Sequence, residues 1–236
     1  MNPFAGMLDW LADPAHWSGS GGIPTRLLEH LQYTGLAMAI GALIAIPLGI
    51  YLGHRDRGEI LVLTVANMIR ALPTLGVLTL LVIVVGIGLI PPLIALVAIA
   101  VPPMLVNSFE GIRTVDRSAV DAARAMGLGR WRTALTVELP SAVPVVLLGV
   151  RLALIQVIST ATIAAYVGLG GLGRFVFDGL STRNFDQVAG GALLVAVLAI
   201  LTEAALILFT ALVVSPGVAR RPRPLTRLRP YRKESL

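Results

Sequence analysis

Side chains that carry enzyme chemistry are few and widely separated in this chain of 236 residues. There is no cysteine, which excludes a disulfide framework, a thiolate metal site and a cysteine nucleophile. His16, His30 and His54 are too far apart in sequence to suggest a histidine-rich metal site. We therefore expect a protein without a catalytic centre, a bound metal or a cofactor of its own.

Three glycines have the spacing of a dinucleotide-binding loop. Gly168, Gly170 and Gly173 form the pattern G-x-G-x-x-G, and Asp186 follows near the position of the acidic residue that binds ribose. Such a loop must follow a β-strand and open a helix that packs on a parallel sheet. Here it follows a long apolar run, so we reject a nucleotide site.

Ionisable residues interrupt the apolar runs at Arg70, Arg151 and Glu203. Charges at membrane depth are costly and usually face a protein interior or a cavity. Arg70 lies shortly before Pro73, which predicts a kink, and the two could line a pathway. A structural ion pair, or a side chain that reaches the interface, remains the alternative. Glu203 could neutralise either arginine.

The run around Arg151 is the most polar of the apolar runs. It also contains neutral hydrogen-bonding side chains, namely Gln156, Ser159, Thr160 and Thr162. This composition favours a helix face directed toward a cavity.

The segment from residue 110 to residue 138 is rich in small residues and arginine: EGIRTVDRSAVDAARAMGLGRWRTALTVE. Ser118 followed by Asp121 predicts the start of a helix, and Gly127 stands where a left-handed residue would end it. Helical spacing places four residues on one predicted face: Ala119, Ala122, Ala123 and Met126.

A second short helix is predicted from Arg130 to Val137, leading to Leu139 and Pro140 at the start of the next apolar run. The simplest interpretation is a capped helical hairpin at the surface. In it, an ion pair between Asp121 and Arg124 would stabilise the helix by only a few tenths of a kcal/mol.

The complete string, however, resembles the EAA motif of the permeases of binding-protein-dependent ABC importers. That motif reads E-A-A, three residues, G, nine residues and I-x-L-P. The matching residues are Asp121-Ala122-Ala123, Gly127 and Val137-Glu138-Leu139-Pro140, with Asp in place of Glu and Val in place of Ile. A fixed spacing over this length is more specific than any single short motif.

The resemblance implies an all-α, polytopic helical membrane protein with the MetI-like ABC importer permease fold. In that family the loop couples the permease to a cytoplasmic ATPase subunit, which would assign the coupling role to Asp121, Ala122, Ala123, Met126, Gly127, Leu139 and Pro140. It also implies an extracytoplasmic solute-binding protein and a second permease copy, identical or closely related. Because Asp is one methylene shorter than Glu, whether Asp121 reaches the same partner stays open.

The composition agrees with a membrane protein, because 56% of the residues are hydrophobic and only 14% are charged. Apolar runs long enough to cross a bilayer cover residues 34–53, 73–106, 143–167 and 189–214. Pro91 and Pro92 follow a turn-like GIGLI and predict the start of a new helix. We therefore expect one kinked element over about 60–88 and another over about 91–109.

Charge in the short loops predicts how many spans there are and how they are oriented, since Lys and Arg favour the cytoplasm. With five spans, every arginine-rich loop lies inside, whereas splitting 60–88 into two spans places one of them outside. We therefore expect about five core spans, with six possible, in the inner membrane, with the N-terminus outside and the C-terminus cytoplasmic. The expected parts are an extracytoplasmic segment 1–26, a transmembrane permease domain 27–216 with a cytoplasmic coupling loop 110–138, and a basic cytoplasmic tail 217–236.

The excess positive charge of the chain lies in this tail, at Arg220, Arg221, Arg223, Arg227, Arg229, Arg232 and Lys233. We expect these residues to contact anionic lipid headgroups rather than nucleic acid, because the tail directly follows a span and has little aromatic interleaving.

The sequence ATIAA followed by the glycine-rich turn of Gly168, Gly170, Gly171 and Gly173 resembles the osmoprotectant branch of these permeases. The resemblance implies a close-packed outer turn near a gate or docking surface, and glycine betaine, choline or carnitine as cargo. Another small solute such as methionine remains an alternative, because no aromatic cluster for a quaternary ammonium group is evident in the spans. A secondary transporter is a further alternative, although it would usually have more spans and inverted repeats.

Overall fold

The computed structural model describes residues 3–214, and every regular element in that range is helical. The helices are α1 (Pro3–Ala12), α2 (Ile23–Arg55), α3 (Glu59–Ala71), α4 (Thr74–Val85), α5 (Ile90–Arg113), α6 (Arg117–Ala125), α7 (Arg130–Thr133), α8 (Leu139–Ala164), α9 (Gly173–Thr182) and α10 (Phe185–Val213). Short 3₁₀ turns cover Pro14–Trp17 and Ala165–Val167, and a π-helical turn covers Ala134–Glu138. The expected all-α class is confirmed.

Four helices are long and apolar enough to cross a bilayer: α2, α5, the continuous helix Arg130–Val167, and α10. The helices α3 and α4 add a fifth span if the pair is counted as one, and their axes are bent by 81° at the break between them. The predicted total of about five apolar elements therefore agrees with the structure. The predicted kink in 60–88 is sharp enough to divide that element into two helices.

Prolines explain where these helices break and begin. Pro73 precedes α4 and has no backbone N–H to continue α3, and Leu72 before it has the extended backbone that proline imposes on its neighbour. Pro91 and Pro92 occupy the first turn of α5, as predicted, where a missing N–H costs nothing.

The core is formed where α5 lies between α2 and α8. Small residues let the backbones approach closely: a Cβ on Gly49 of α2 would lie 2.7 Å from the Leu105 oxygen, and one on Gly149 of α8 would lie 2.7 Å from the Pro103 oxygen. Met104 and Phe109 of α5 are fully buried at this junction. The three helices therefore form a tightly packed unit that can position the regions at either end.

The N-terminal helix α1, part of the segment expected to be extracytoplasmic, packs on helices α9 and α10. Trp10 is buried, its ring lies 5.2 Å from that of Phe175 in α9, and it fills the space left by Gly190 in α10. Burial of this indole holds α1 on the α9–α10 pair. Helix α2 begins at Ile23, so the boundary drawn at residue 26 lies inside a helix.

Candidate coupling segment and membrane cleft

Helix α6 is capped by Asp116 rather than by Ser118. The Asp116 Oδ1 accepts hydrogen bonds from the Ser118 N–H at 3.0 Å and from the Ser118 hydroxyl at 2.9 Å. The prediction that Ser118 begins the helix was wrong, because Asp116 occupies the N-cap immediately before Arg117 and Ser118 is already inside the first turn.

The end of α6 agrees with the prediction. Gly127 has a φ of +86°, its N–H donates to the Arg124 oxygen at 2.9 Å, and the Leu128 N–H donates to the Ala123 oxygen at 3.2 Å. These two bonds form a Schellman motif, which requires a left-handed residue at this point. Space does not select glycine here, because a Cβ would have no neighbour within 4 Å. The left-handed backbone conformation is therefore what favours glycine at position 127.

The predicted common face of α6 is divided in the structure. Asp121, Ala122 and Met126 are exposed, and Met126 is 76% exposed. Ala123 is buried, as is Val120 one turn before it, so the four residues predicted to share a face differ in exposure. Residues three apart lie on one side of a helix, and on this side Val120 packs on α5 and α8.

The second predicted helix is not a separate element. After α7, the chain continues through the π-helical turn into α8, so Leu139 and Pro140 lie in an uninterrupted helix from Arg130 to Val167. The Leu139 N–H donates to the Ala134 oxygen five residues earlier, which widens the turn just before Pro140, a residue without an N–H. A displacement of this segment is therefore transmitted directly to a membrane span.

A buried pair that the sequence did not reveal joins the coupling segment to α2. His54 Nδ1 at the end of α2 lies 2.5 Å from Glu138 Oε2 in the π-helical turn, and both side chains are almost completely buried. The ring of Trp131 covers His54 at 5.5 Å and stacks on Tyr51 at 6.3 Å. Glu138 occupies the variable position of the I-x-L-P string, so the motif gave no reason to select it.

An ion-pair cluster lies at the same end of the molecule. Arg113 at the end of α5 contacts Asp56 at 3.1 Å, Glu59 at 2.8 Å and Glu110 at 3.7 Å. Its guanidinium also lies 5.2 Å from the Phe109 ring. The cluster ties the turn between α2 and α3 to the last turn of α5.

A cleft of about 450 Å³ opens at the break between α3 and α4. Its polar lining comes from Arg70, Thr74, Gln156, Ser159 and Thr160, and its apolar lining from Ile69, Leu72, Ile99 and Ile155. The structure thus brings together Arg70, Gln156 and Thr160 from the predicted pathway residues. Pro73 lies at the same break, as the cap of α4.

Arg151 does not line this cleft. Its Nε lies 3.0 Å from Glu203 Oε1 of α10, and its Nη2 contacts the same oxygen. The five-residue separation from Gln156 rotates Arg151 by about 140° around α8, away from the cleft. Glu203 therefore neutralises Arg151 and not Arg70. Thr162 is also absent from the lining, and its hydroxyl donates to the Ser159 backbone oxygen at 2.7 Å.

The glycine-rich turn packs on the start of α2. The Gly171 N–H donates to Glu29 Oε2 at 2.7 Å, a Cβ on Gly170 would collide with the same carboxylate, and one on Gly173 would collide with the Thr162 oxygen. Gly168 has a φ of +88° and, with Tyr166, lines a second cleft of about 400 Å³ along α4. The close packing predicted for this turn is present.

Comparison with known proteins identifies the family. The family described as "Binding-protein-dependent transport system inner membrane component" matches residues 45–220. The carnitine transport permease protein of Listeria monocytogenes is 36% identical over 75% of this chain and 82% of that permease. The glycine betaine/carnitine/choline transport system permease protein of Bacillus subtilis is 33% identical over 74% of this chain and 81% of its own length.

Solved structures agree on the fold. An inward-facing form of the methionine ABC transporter has a chain that superposes with a TM-score of 0.72 at 21% identity, covering 86% of this chain and all of that one. An amino acid ABC transporter crystallised with histidines superposes with a TM-score of 0.62 at 18% identity, covering 89% of this chain and 96% of that one. The chain therefore belongs to the binding-protein-dependent transport system inner membrane components: it is a multi-pass permease subunit of an ABC importer and works with an ATPase and a solute-binding protein.

Proposed function

We propose that this permease imports osmoprotectants of the glycine betaine, carnitine and choline class. The observation that carries the proposal is that relatives 33–36% identical over about three quarters of the chain are named as permeases for these compounds. An osmoprotectant import permease protein of Salmonella typhimurium is also 32% identical. The methionine transporter shares the fold at 21% identity, which does not support methionine as the cargo.

The proposal is tested by uptake of labelled solute. A host strain that lacks its own osmoprotectant importers would receive this chain with the ATPase and binding protein of the same system. We expect glycine betaine or carnitine to accumulate and growth at high osmolarity to recover, with methionine uptake unchanged. Accumulation of methionine but of no osmoprotectant would refute the proposal that the cargo is an osmoprotectant.

The coupling segment 110–138 transmits the state of the ATPase to the membrane helices. Asp121, Ala122 and Met126 form the exposed docking face of α6, and Gly127 fixes the turn behind it. Ala123 supports the docking face from the buried side. When ATP binding closes the ATPase pair, the segment moves as one body with α8, because Leu139 and Pro140 continue the same helix.

The His54–Glu138 pair supports a second route for this motion. The pair joins the coupling segment to the end of α2, which packs along α5. A movement that starts at α6 therefore reaches α8 directly and α2 through the buried pair. Moving these helices together opens the cavity outward, as alternating access requires.

The loop charges support an orientation with the N-terminus outside and the C-terminus inside. Arg55 and Arg57 in the turn after α2 and the arginines of the coupling segment then lie in the cytoplasm. The basic tail 217–236 lies outside the described residues, and its seven basic side chains suit the anionic inner leaflet.

A second permease chain, identical or closely related, completes the pathway. The clefts at the α3–α4 break and along α4 are open on one side, and α4 is exposed along large apolar side chains such as Leu80, Ile83 and Val84. Two such chains facing each other would enclose a pathway lined by Arg70, Gln156 and Thr160 of each, with the glycine-rich turn of residues 168–173 beside it. In this arrangement Arg151 and Thr162 are structural.

A further inference from the structure

Arg70 is an unpaired cation at membrane depth. Within residues 3–214, no acidic side chain forms an ion pair with its guanidinium, whereas Arg26, Arg113 and Arg151, which also lie in the membrane-spanning helices, each contact a carboxylate. Arg70 lies about 17 Å along α3 from Glu59, at a rise of 1.5 Å per residue. It is therefore far from the predicted cytoplasmic surface.

An arginine at this depth is costly unless it faces water, a protein partner or a ligand. The Arg70 side chain is exposed and lines the 450 Å³ cleft, which also has a volume within the range of small-molecule sites. The compensating charge is thus expected to enter the cleft as part of the cargo.

The rest of the lining suits an anionic group. Three neutral hydrogen-bonding side chains of α8, Gln156, Ser159 and Thr160, face the same space, and the first turn of α4 begins there at Thr74. No acidic residue and no aromatic ring are among the lining residues of this cleft in the described part of the chain. A bare quaternary ammonium ion would find neither a counter-charge nor a π face here, and Arg70 would repel it.

We propose that this cleft binds the carboxylate of a zwitterionic cargo, with Arg70 as the charged partner and Gln156, Ser159 and Thr160 as neutral hydrogen-bonding partners. Guanidinium and carboxylate groups match in geometry and form paired hydrogen bonds. The inference rests on the proposed osmoprotectant import and narrows it: glycine betaine and carnitine carry a carboxylate, and choline does not. The permease itself therefore favours the first two.

The test measures uptake by the complete importer in proteoliposomes, with this permease, its ATPase and saturating binding protein loaded with glycine betaine, carnitine or choline. Saturation removes the affinity of the binding protein from the comparison. We expect Arg70→Gln to reduce the initial rate for glycine betaine and carnitine by about tenfold or more, and to leave the rate for choline unchanged or raise it, because Arg70 repels a cation. Arg70→Lys keeps the charge and should lie between wild type and Arg70→Gln.

Arg57→Gln is the matched control, because Arg57 is exposed in the turn before α3 and lies outside the cleft. It should leave all three rates close to wild type. An equal loss for the three solutes in both Arg70 variants, or no loss in either, would overturn the carboxylate site. A wild-type importer that carries choline alone would overturn this inference and leave osmoprotectant import intact, whereas one that carries none of the three solutes would overturn both.

Discussion

Gly127 is the single residue whose backbone conformation most restricts the coupling segment. Its φ of +86° costs an ordinary L-residue about 1–2 kcal/mol, and a β-branched residue is the least tolerant. We expect Gly127→Val to abolish ATP-driven uptake while the protein still inserts in the membrane. Gly127→Asn, which tolerates this conformation, should retain most of the uptake. Wild-type uptake by Gly127→Val would show that the turn is not required.

Asp121 is expected to bind the ATPase subunit through its exposed carboxylate. Reversing the charge in Asp121→Lys should therefore weaken co-purification of the ATPase and reduce uptake at least about tenfold. Asp121→Glu restores the residue typical of the EAA motif and should retain both. If the lysine variant co-purifies and transports like wild type, Asp121 does not take part in docking.

Replacing each member of the His54–Glu138 pair tests whether this pair joins α2 to the coupling segment 110–138. Removing one member leaves the other buried without its partner, which costs about 3–5 kcal/mol. We expect His54→Leu and Glu138→Leu each to lower the thermal unfolding temperature and to reduce uptake per ATP hydrolysed. The double variant should be more stable than the sum of the two single effects predicts.

The matched control for this cycle is the partly exposed pair Arg174 and Asp178 on α9, whose side chains lie 2.8 Å apart. Because exposed pairs contribute little, removal of either member should change stability by less than about 1 kcal/mol. Additive effects in the His54–Glu138 cycle would mean that the two side chains do not interact in the assembled importer.

Sequence patterns predicted those features of the helices that depend on residues close together in the chain, namely where the helices lie and where they begin. Apolar runs located α2, α5, α8 and α10 because bilayer thickness sets their length, and Pro91 and Pro92 marked the start of α5 because of their own chemistry. The size of the bend at Pro73 was not predictable, since a proline permits a break and the packing of neighbouring helices determines its angle.

For the residues of the site, too, features set by nearby residues were predictable and features set by helix packing were not. The left-handed conformation of Gly127 at the end of α6 follows from its neighbours in sequence and was predicted. The partners Arg151 and Glu203, and His54 and Glu138, lie on different helices, so their pairing depends on how those helices pack. The burial of Val120 in α6 likewise depends on its packing against Ile112 of α5 and Ala142 of α8 rather than on the spacing within α6.

The orientation of the whole molecule can be tested because the chain has no native cysteine. Met126→Cys immediately after α6 and Leu180→Cys in α9 place thiols at positions that are 76% and 51% exposed in the structure. In cells that express the permease without its ATPase subunit, we expect a membrane-impermeant maleimide to label position 180 when the cells are intact, and position 126 only after the inner membrane is opened. The opposite pattern would reverse the proposed orientation.

Transport is proposed to depend on docking of the exposed face of α6 on the ATPase subunit. Crosslinking from Met126→Cys with a thiol-attached photoreactive group tests it most directly in the assembled importer, with Leu180→Cys as the control at the other end of the molecule. We expect a covalent permease–ATPase adduct from position 126 whose yield changes when ATP is bound, and none from position 180. Equal yields from the two positions, or an adduct from position 180 alone, would contradict it.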